Sequence, residues 1–220
     1  MVLPKDINIK PRKYPSNTLP DSFLDTDPTT HFKEWFQDAI DREVLEPDAF
    51  ILSTFDGKRV NARTIALRGF EAGKDKTGIF YVYTNYQSVK AKEIEKHKDV
   101  SLTFYWPEIF RQVRIKATAQ KTSEKQSDEY FNTRPHGSQI GAWTSRQDET
   151  LESREVLEES YTDFAKELPE QITRPPFWGG FELIANEYEF FQGHESRLHD
   201  RFQYVYDENL KRFSGKRLWP

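Results

Sequence analysis

The stretch "AFILSTF" (49–55), the pair "DG" (56–57) and "KRVNARTIALRGF" (58–70) constrain the fold most. Runs of β-branched and aromatic residues on both sides of an Asp-Gly pair read as a β-hairpin. More such runs follow: "GIFYVYT" (78–84), "VSLTFYW" (100–106), "FRQVRIKATAQ" (110–120), "FELIANEYEFF" (181–191), "RLHDRFQYVY" (197–206) and a last short strand ending in "KRLWP". Six or more strands joined mostly by hairpins predict a mainly β fold, an antiparallel barrel with added helices.

The helices fall between the strands. Asp27 can cap one, Pro28 suits its first turn, and Phe32, Trp35, Phe36, Ala39 and Ile40 follow at helical spacing. A short helix is expected over 88–97 with Ser88 as N-cap, and another over 123–132, stopped by the Arg134-Pro135 pair. "GSQIGAW" (137–143) reads as a glycine-punctuated loop, and the acidic stretch 148–168 as a helix closing at Pro169. Residues 1–26, with prolines at 4, 11, 15 and 20, read as an arm without regular structure. Residues 27–220 read as a single domain.

Composition narrows the function classes. Aromatic residues make up 15% of the 220, so the core is built on Phe, Tyr and Trp. The net charge of −4 argues against a general nucleic-acid binder. Without cysteine there is neither a disulfide nor a thiolate metal site, and His31, His97 and His136 lack metal-ligand spacing. No apolar run reaches membrane-spanning length and no signal peptide is visible, so a soluble cytoplasmic protein is expected. The absence of a P-loop, a GxGxxG and a GxSxG argues against a nucleotide hydrolase, a Rossmann dehydrogenase and a serine hydrolase.

Four basic clusters are candidates for anion binding. Arg63 and Arg68 stand five apart on the predicted second strand, so a regular strand would send them to opposite faces. Lys90 lies in the first turn of the short helix, where the macrodipole favours anions; a solvated helix lysine is the plain alternative. Tyr130, Arg134 and Ser138 are spaced by four around a helix end and are good phosphate donors, although an arginine there can simply neutralise the helix terminus. In "RLHDR", Arg197, His199 and Arg201 alternate, so a strand would put them on one face opposite Leu198 and Asp200. Three such groups repel unless an anion covers them; a solvated strand face with Asp200 as counter-charge is the alternative.

Together these residues resemble the pyridoxine/pyridoxamine 5′-phosphate oxidase family. The likeness runs from about Asp27 to Pro220 and is strongest in "RTIALRGF", "FYVYTN", "RQVRI", "YFNTRPHGSQIGAW", "FWGG" and "RLHDRF". The resemblance implies a split antiparallel β-barrel of the FMN-binding type, working as a homodimer with its FMN sites at the subunit interface. It assigns Arg63 and Lys90 to the FMN phosphate, Tyr83 and Thr84 to the lining, Gln112 and Gln147 to the flavin ring, and Phe191 and Arg201 to contacts with FMN. It assigns Arg68, Tyr130, Arg134 and Ser138 to the substrate phosphate. Arg197 and His199 would lie over the substrate's pyridine ring and assist proton movement. The implied reaction oxidises pyridoxamine or pyridoxine 5′-phosphate to pyridoxal 5′-phosphate with dioxygen. A non-catalytic pyridoxal-phosphate-binding module and an FMN oxidoreductase with another substrate are the rival readings.

The chain departs from the family pattern in places. Arg68 stands where lysine is usual, Val89 replaces a basic phosphate contact, and Asp148 replaces a small hydroxyl. Phe191 replaces a tryptophan at the flavin, and Trp219 stands in the C-terminal "RLWP". In the arm, "RKY" (12–14) resembles a segment that covers the site in relatives, at a different spacing.

Overall fold

The computed structural model describes residues 14, 18–73 and 77–220. Nine strands form one antiparallel sheet: β1 (Ala49–Phe55), β2 (Val60–Ala66), β3 (Gly69–Ala72), β4 (Gly78–Asn85), β5 (Asp99–Trp106), β6 (Arg111–Lys121), β7 (Trp178–Gln192), β8 (Asp200–Asp207) and β9 (Arg212–Arg217). The order is β2-β1-β5-β6-β7-β4-β3, with β8 on β7 and β9 on β8. Five helices are added: α1 (Pro28–Asp41), α2 (Val89–Lys96), α3 (Glu124–Thr133), α4 (His136–Thr144) and α5 (Arg154–Glu167). No helix among the described residues is long and apolar enough to cross a membrane.

The period-2 pattern sets the faces of the sheet. In β6, Val113, Ile115, Ala117 and Ala119 are buried while Arg114, Lys116 and Gln120 point away. Each buried aliphatic or aromatic side chain contributes about 1.5–3 kcal/mol. Phe32, Phe80, Phe104, Phe190 and Phe202 are all almost fully buried in the main core. Helix α1 closes that core with Phe32, Trp35 and Ala39. Its start is fixed as expected: Asp27 Oδ1 accepts the Thr29 and Thr30 N–H groups at 3.1 and 3.0 Å, and Pro28 follows the cap.

Strand β7 organises the sheet. Residues 178–184 pair with β4, residues 181–192 pair with β6, and residues 187–192 pair with β8. The register slips between Lys116 and Ala117, whose partners are Glu187 and Ala185, so Asn186 is the extra residue of a bulge. A bulge bends its strand, and this one sits where β7 changes neighbour from β4 to β8.

Several sequence expectations are corrected. The run 58–70 is not one strand: β2 ends at Ala66 and β3 starts at Gly69, so strand parity does not extend from Arg63 to Arg68. The segment expected as a loop at 137–143 is helix α4, because packing of Ile140 and Ala142 outweighs the low helix propensity of Gly137 and Gly141. Helix α5 begins only at Arg154, capped by Ser153, and not at 148; Asp148 has φ +70°. Strand β8 begins at Asp200 instead of Arg197. Residues Glu195–Arg197 form a 3-10 turn in which Ser196 and Arg197 have φ of +56° and +62°. Arg197 and His199 therefore do not share a strand face with Arg201, and Leu198 is 70% exposed while Asp200 is buried. Within the stretch read as an irregular arm, Asp21–Asp25 forms a 3-10 turn whose Phe23 is buried and stacks on His31 at 3.6 Å. Arg12 and Lys13 of "RKY" lie outside the described residues.

Candidate active site

A cavity of about 740 Å³ opens where β4, the N-terminus of α2, the α3–α4 corner and the segment after α4 meet. That is within the usual range for a small-molecule site. Of the residues singled out from the sequence, Arg68, Tyr83, Thr84, Lys90, Tyr130, Arg134, Ser138 and Gln147 all line it.

One end is built on aromatic stacking. Tyr83 of β4 stacks on Tyr130 of α3 at 3.8 Å, and Trp178 lies nearly parallel beside the pair, 5.7 Å from Tyr83 and 6.2 Å from Tyr130. The Arg134 guanidinium lies 4.5 Å from the Trp178 ring centre. A stacked guanidinium in a rigid frame is pre-organised for an anion. Its Nη1 is buried and has no hydrogen-bond partner. Buried polar groups are nearly always paired, so this donor, beside the cavity that Arg134 lines, stands out as unsatisfied by the protein. Burial and then the neighbouring Arg68 charge pull Arg134 below its usual pKa, with Tyr130 opposing. Burial first and Tyr130 next push the Tyr83 phenol up to about 12, so it stays a neutral donor. Ser138 lies in the first turn of α4, whose Gln139 Nε2 donates to Phe131 O at 3.0 Å and ties the two helices together.

The other end centres on Lys90, which is buried. Its Nζ is 3.5 Å from Thr84 Oγ1, which in turn donates to Gln147 Oε1 at 3.3 Å. Burial lowers the Lys90 pKa; the Asp148 charge opposes that and the Arg63 charge adds to it. Arg63 itself is anchored one layer behind. Its Nη1 donates to Thr54 Oγ1 at 2.5 Å, and its Nη2 lies 3.4 Å from the buried Glu93 carboxylate. Glu93, which sequence reasoning passed over, also accepts from Asn61 Nδ2 at 2.5 Å and from the Thr54 hydroxyl. Ser88 occupies the N-cap position of α2, but its side chain makes no capping bond, and its buried Oγ has no partner. The N–H of Val89 is instead taken by Asp148 Oδ2 at 2.8 Å. The Val89 side chain is 47% exposed and is not part of the cavity wall.

The remaining five residues do not line this cavity. Gln112, Phe191 and Arg201 form a row across β6, β7 and β8, because Gln112 pairs with Phe191 and Phe191 with Arg201. Glu189 Oε1 accepts from Arg201 Nε and Nη2 at 3.1 and 2.9 Å, and Trp219 O accepts from its Nη1 at 2.9 Å. The His199 ring lies 4.8 Å from Phe191 and 5.9 Å from Tyr14. His199 Nδ1 accepts the His194 N–H at 2.9 Å, so the neutral ring carries its proton on Nε2. Burial, then His194, then Arg197 lower its pKa, which keeps it neutral near pH 7. Arg197 is exposed on the left-handed turn. Behind them Asp200 is held by His194 Nε2 at 2.7 Å, Leu19 N–H at 2.7 Å and Arg217 Nη1 at 2.5 Å.

Comparisons with known proteins give the family and the fold. The family model described as pyridoxamine 5′-phosphate oxidase matches residues 36–165. A second, described as the pyridoxine 5′-phosphate oxidase C-terminal dimerisation region, matches residues 178–220, the part that carries Phe191, Arg197, His199 and Arg201. A curated pyridoxine/pyridoxamine 5′-phosphate oxidase of Rubrobacter xylanophilus is 46% identical over 197 residues, 88% of each chain. One of Prochlorococcus marinus is 41% identical over 201 residues, 91% of this chain and 88% of the relative. Among solved structures, PhzG from Burkholderia lata 383 in complex with tetrahydrophenazine-1-carboxylic acid superposes with a TM-score of 0.82. It is 28% identical and covers 93% of this chain and 98% of its own. The split antiparallel barrel expected from the sequence is the fold of these neighbours, and the dimerisation-region match supports a homodimer.

Proposed function

The chain belongs to the pyridoxamine 5′-phosphate oxidase family, and from that premise we propose that it oxidises pyridoxamine or pyridoxine 5′-phosphate to pyridoxal 5′-phosphate, in the cytoplasm, with FMN as cofactor and dioxygen as acceptor. The observation that carries the reading is the buried, unpartnered Nη1 of Arg134, set beside Tyr130, Ser138 and Arg68 in the cavity wall. That donor set fits a phosphate monoester. At the opposite end, Lys90, Thr84 and Gln147, with Arg63 behind and the unpaired Ser88 hydroxyl at a helix N-terminus, fit the phosphate and ring edge of FMN.

Bound FMN would supply the hydride acceptor and then pass the electrons to dioxygen, giving hydrogen peroxide. The residues of this chain supply position. Arg134, Tyr130, Ser138 and Arg68 grip the substrate phosphate and so fix where the reacting carbon lies. Tyr83, Tyr130 and Trp178 wall off water on that side. Gln112, Phe191, Arg197, His199 and Arg201 complete the site from the partner subunit, since in one chain they lie apart from the cavity. With Nδ1 occupied by the His194 N–H, His199 offers a donor from Nε2. Arg197 offers a fixed positive charge to an electron-rich ring.

The test is a purified sample. Yellow colour and peroxide release on adding pyridoxamine 5′-phosphate are expected. A colourless protein that binds pyridoxal 5′-phosphate without turnover would establish the binding-module reading instead. The second reading is an FMN oxidase for another substrate. It is favoured by the likeness to PhzG, whose structure holds a tricyclic carboxylic acid. Peroxide release with such an acid, and none with the phosphorylated amine, would establish that alternative.

A further inference from the structure

We propose that Asp148 tunes this protein's affinity for its phosphate-bearing cofactor, by competing with the phosphate for the N-terminus of α2. The proposal rests on the reading above that the Lys90 end of the cavity receives the FMN phosphate.

Helix α2 has the positive end of its dipole at Val89 and Lys90, and Lys90 lines the cavity. Its first residue, Val89, gives its N–H to Asp148 Oδ2 at 2.8 Å. Ser88, at the N-cap position, would ordinarily accept from the helix. Here it makes no capping bond, and its Oγ is fully buried without a partner. A buried hydroxyl left unpaired is costly, and it directly precedes the two residues at the helix start, Val89 and Lys90. Lys90 reaches only to Thr84, at the long distance of 3.5 Å, and Asp148 is the leading opposite charge acting on it. A hydroxyl, a donor and an ammonium thus stand on three consecutive residues, Ser88, Val89 and Lys90, at the edge of the cavity that Lys90 lines, and the carboxylate of Asp148 already uses the Val89 N–H.

Asp148 is placed there by its backbone. Asn85 Nδ2 donates to Ser145 O at 3.2 Å, and Thr84 donates to Gln147, so the segment after α4 is tied to the end of β4 on both sides. The left-handed φ of +70° at Asp148 then turns its side chain to the helix terminus. Aspartate adopts that conformation more readily than most residues. A phosphate entering the same corner meets a like charge and must displace the carboxylate from Val89. A neutral hydroxyl at position 148, as the family resemblance would have it, carries neither penalty.

The consequence is a pair of effects of opposite sign. Asp148 stabilises the protein alone, as an anion at a helix N-terminus, and weakens phosphate-bearing ligands. Because the carboxylate is exposed, its effect is that of a screened helix-end charge, roughly a 2- to 5-fold change in Kd.

The test uses the full chain stripped of flavin, as wild type, Asp148→Ser and Asp148→Asn. FMN and riboflavin are titrated by flavin fluorescence quenching at low and moderate salt, and melting is followed without ligand. FMN should bind about 2- to 5-fold tighter to both variants, with the gain shrinking as salt rises. Riboflavin, which has no phosphate, should bind all three proteins equally. The ligand-free variants should melt about 2–4 °C lower, as expected for about 1 kcal/mol lost from a helix cap. FMN affinity that ignores residue 148, or an equal gain for riboflavin, overturns this proposal alone. Failure of all three proteins to bind any flavin overturns it together with the cofactor reading.

Discussion

Replacing Arg134 by alanine should separate binding from folding. The guanidinium stacks 4.5 Å from Trp178 and leaves Nη1 buried without a partner. Losing the stack removes about 0.5–2 kcal/mol of cation–π attraction. Losing the unpaired donor relieves a desolvation penalty of about 1–3 kcal/mol. The two nearly offset, so the melting temperature of Arg134→Ala should stay within about 4 °C of wild type. Binding has no such offset. A charge-assisted contact to phosphate is worth about 1.5–3 kcal/mol, so KM for pyridoxamine 5′-phosphate should rise roughly 10- to 150-fold. The unphosphorylated amine should be affected far less. Steady-state peroxide release with both amines, beside a melting curve, measures all three quantities. An unchanged KM for the phosphorylated amine would refute the assignment. A collapse in stability would show that Arg134 is a folding element and that its Nη1 is not reserved for a ligand.

Mixing Arg134→Ala with His199→Asn dimers under exchange should restore roughly a quarter of wild-type activity, because one site of each mixed dimer is intact when the two clusters come from different subunits; no recovery would place both in one chain's site. Asp200→Asn should destabilise the fold by about 1.5–3 kcal/mol in chemical denaturation, since His194, Arg217 and the Leu19 N–H all converge on that carboxylate. These hydrogen bonds hold the Asp200 pKa below the usual carboxylate value despite burial. Its stabilisation is therefore present above about pH 4 and lost as pH falls through the folded value, and melts of Asp200→Asn should lack that acid slope. His199 has the same sense in a higher pH window: its lowered pKa makes the folded state resist protonation, so stability should fall as pH drops below about 6.5. His199→Gln should flatten that part of the profile, and an unchanged slope would assign it to another group. Gly141→Ala should stabilise the fold through helix propensity, by up to about 1 kcal/mol, because an added Cβ meets nothing within 4 Å. The same methyl enters the cavity wall, so ligand affinity should fall; a destabilised variant would contradict this.

The strands were legible because a period of two survives in the burial of β4, β5 and β6. Helix α4 was not, since Gly137 and Gly141 weigh against helix locally and only contacts of Ile140 and Ala142 with Phe131 and Trp178 decide otherwise. The alternation in "RLHDR" implied a shared face only if the run was extended. The left-handed turn at Ser196 and Arg197 breaks that premise, and parity starts at Asp200. In the cavity, the cluster around Arg134 was readable because it is nearly contiguous in the chain. The role of Asp148 was not, because it acts on Val89 from 59 residues away, across a loop whose path no local pattern encodes. The row Gln112–Phe191–Arg201 likewise depends on the register of three strands.

Strand β7 has a consequence for how the molecule is made. In the sheet order it stands between β6 and β4, yet it is spelled out only at residues 178–192 of 220. During synthesis, the β1-β2-β5-β6 block and the β3-β4 pair emerge first, each with an open edge waiting for it. Pairings this distant in sequence pay their loop-closure entropy late and fold slowly. Until the ribosome releases Gln192, the inner edges of β4 and β6 are unprotected templates for another chain. The nascent protein is thus most exposed to aggregation just before its last forty residues arrive, and a chaperone that shields strand edges would act in that interval.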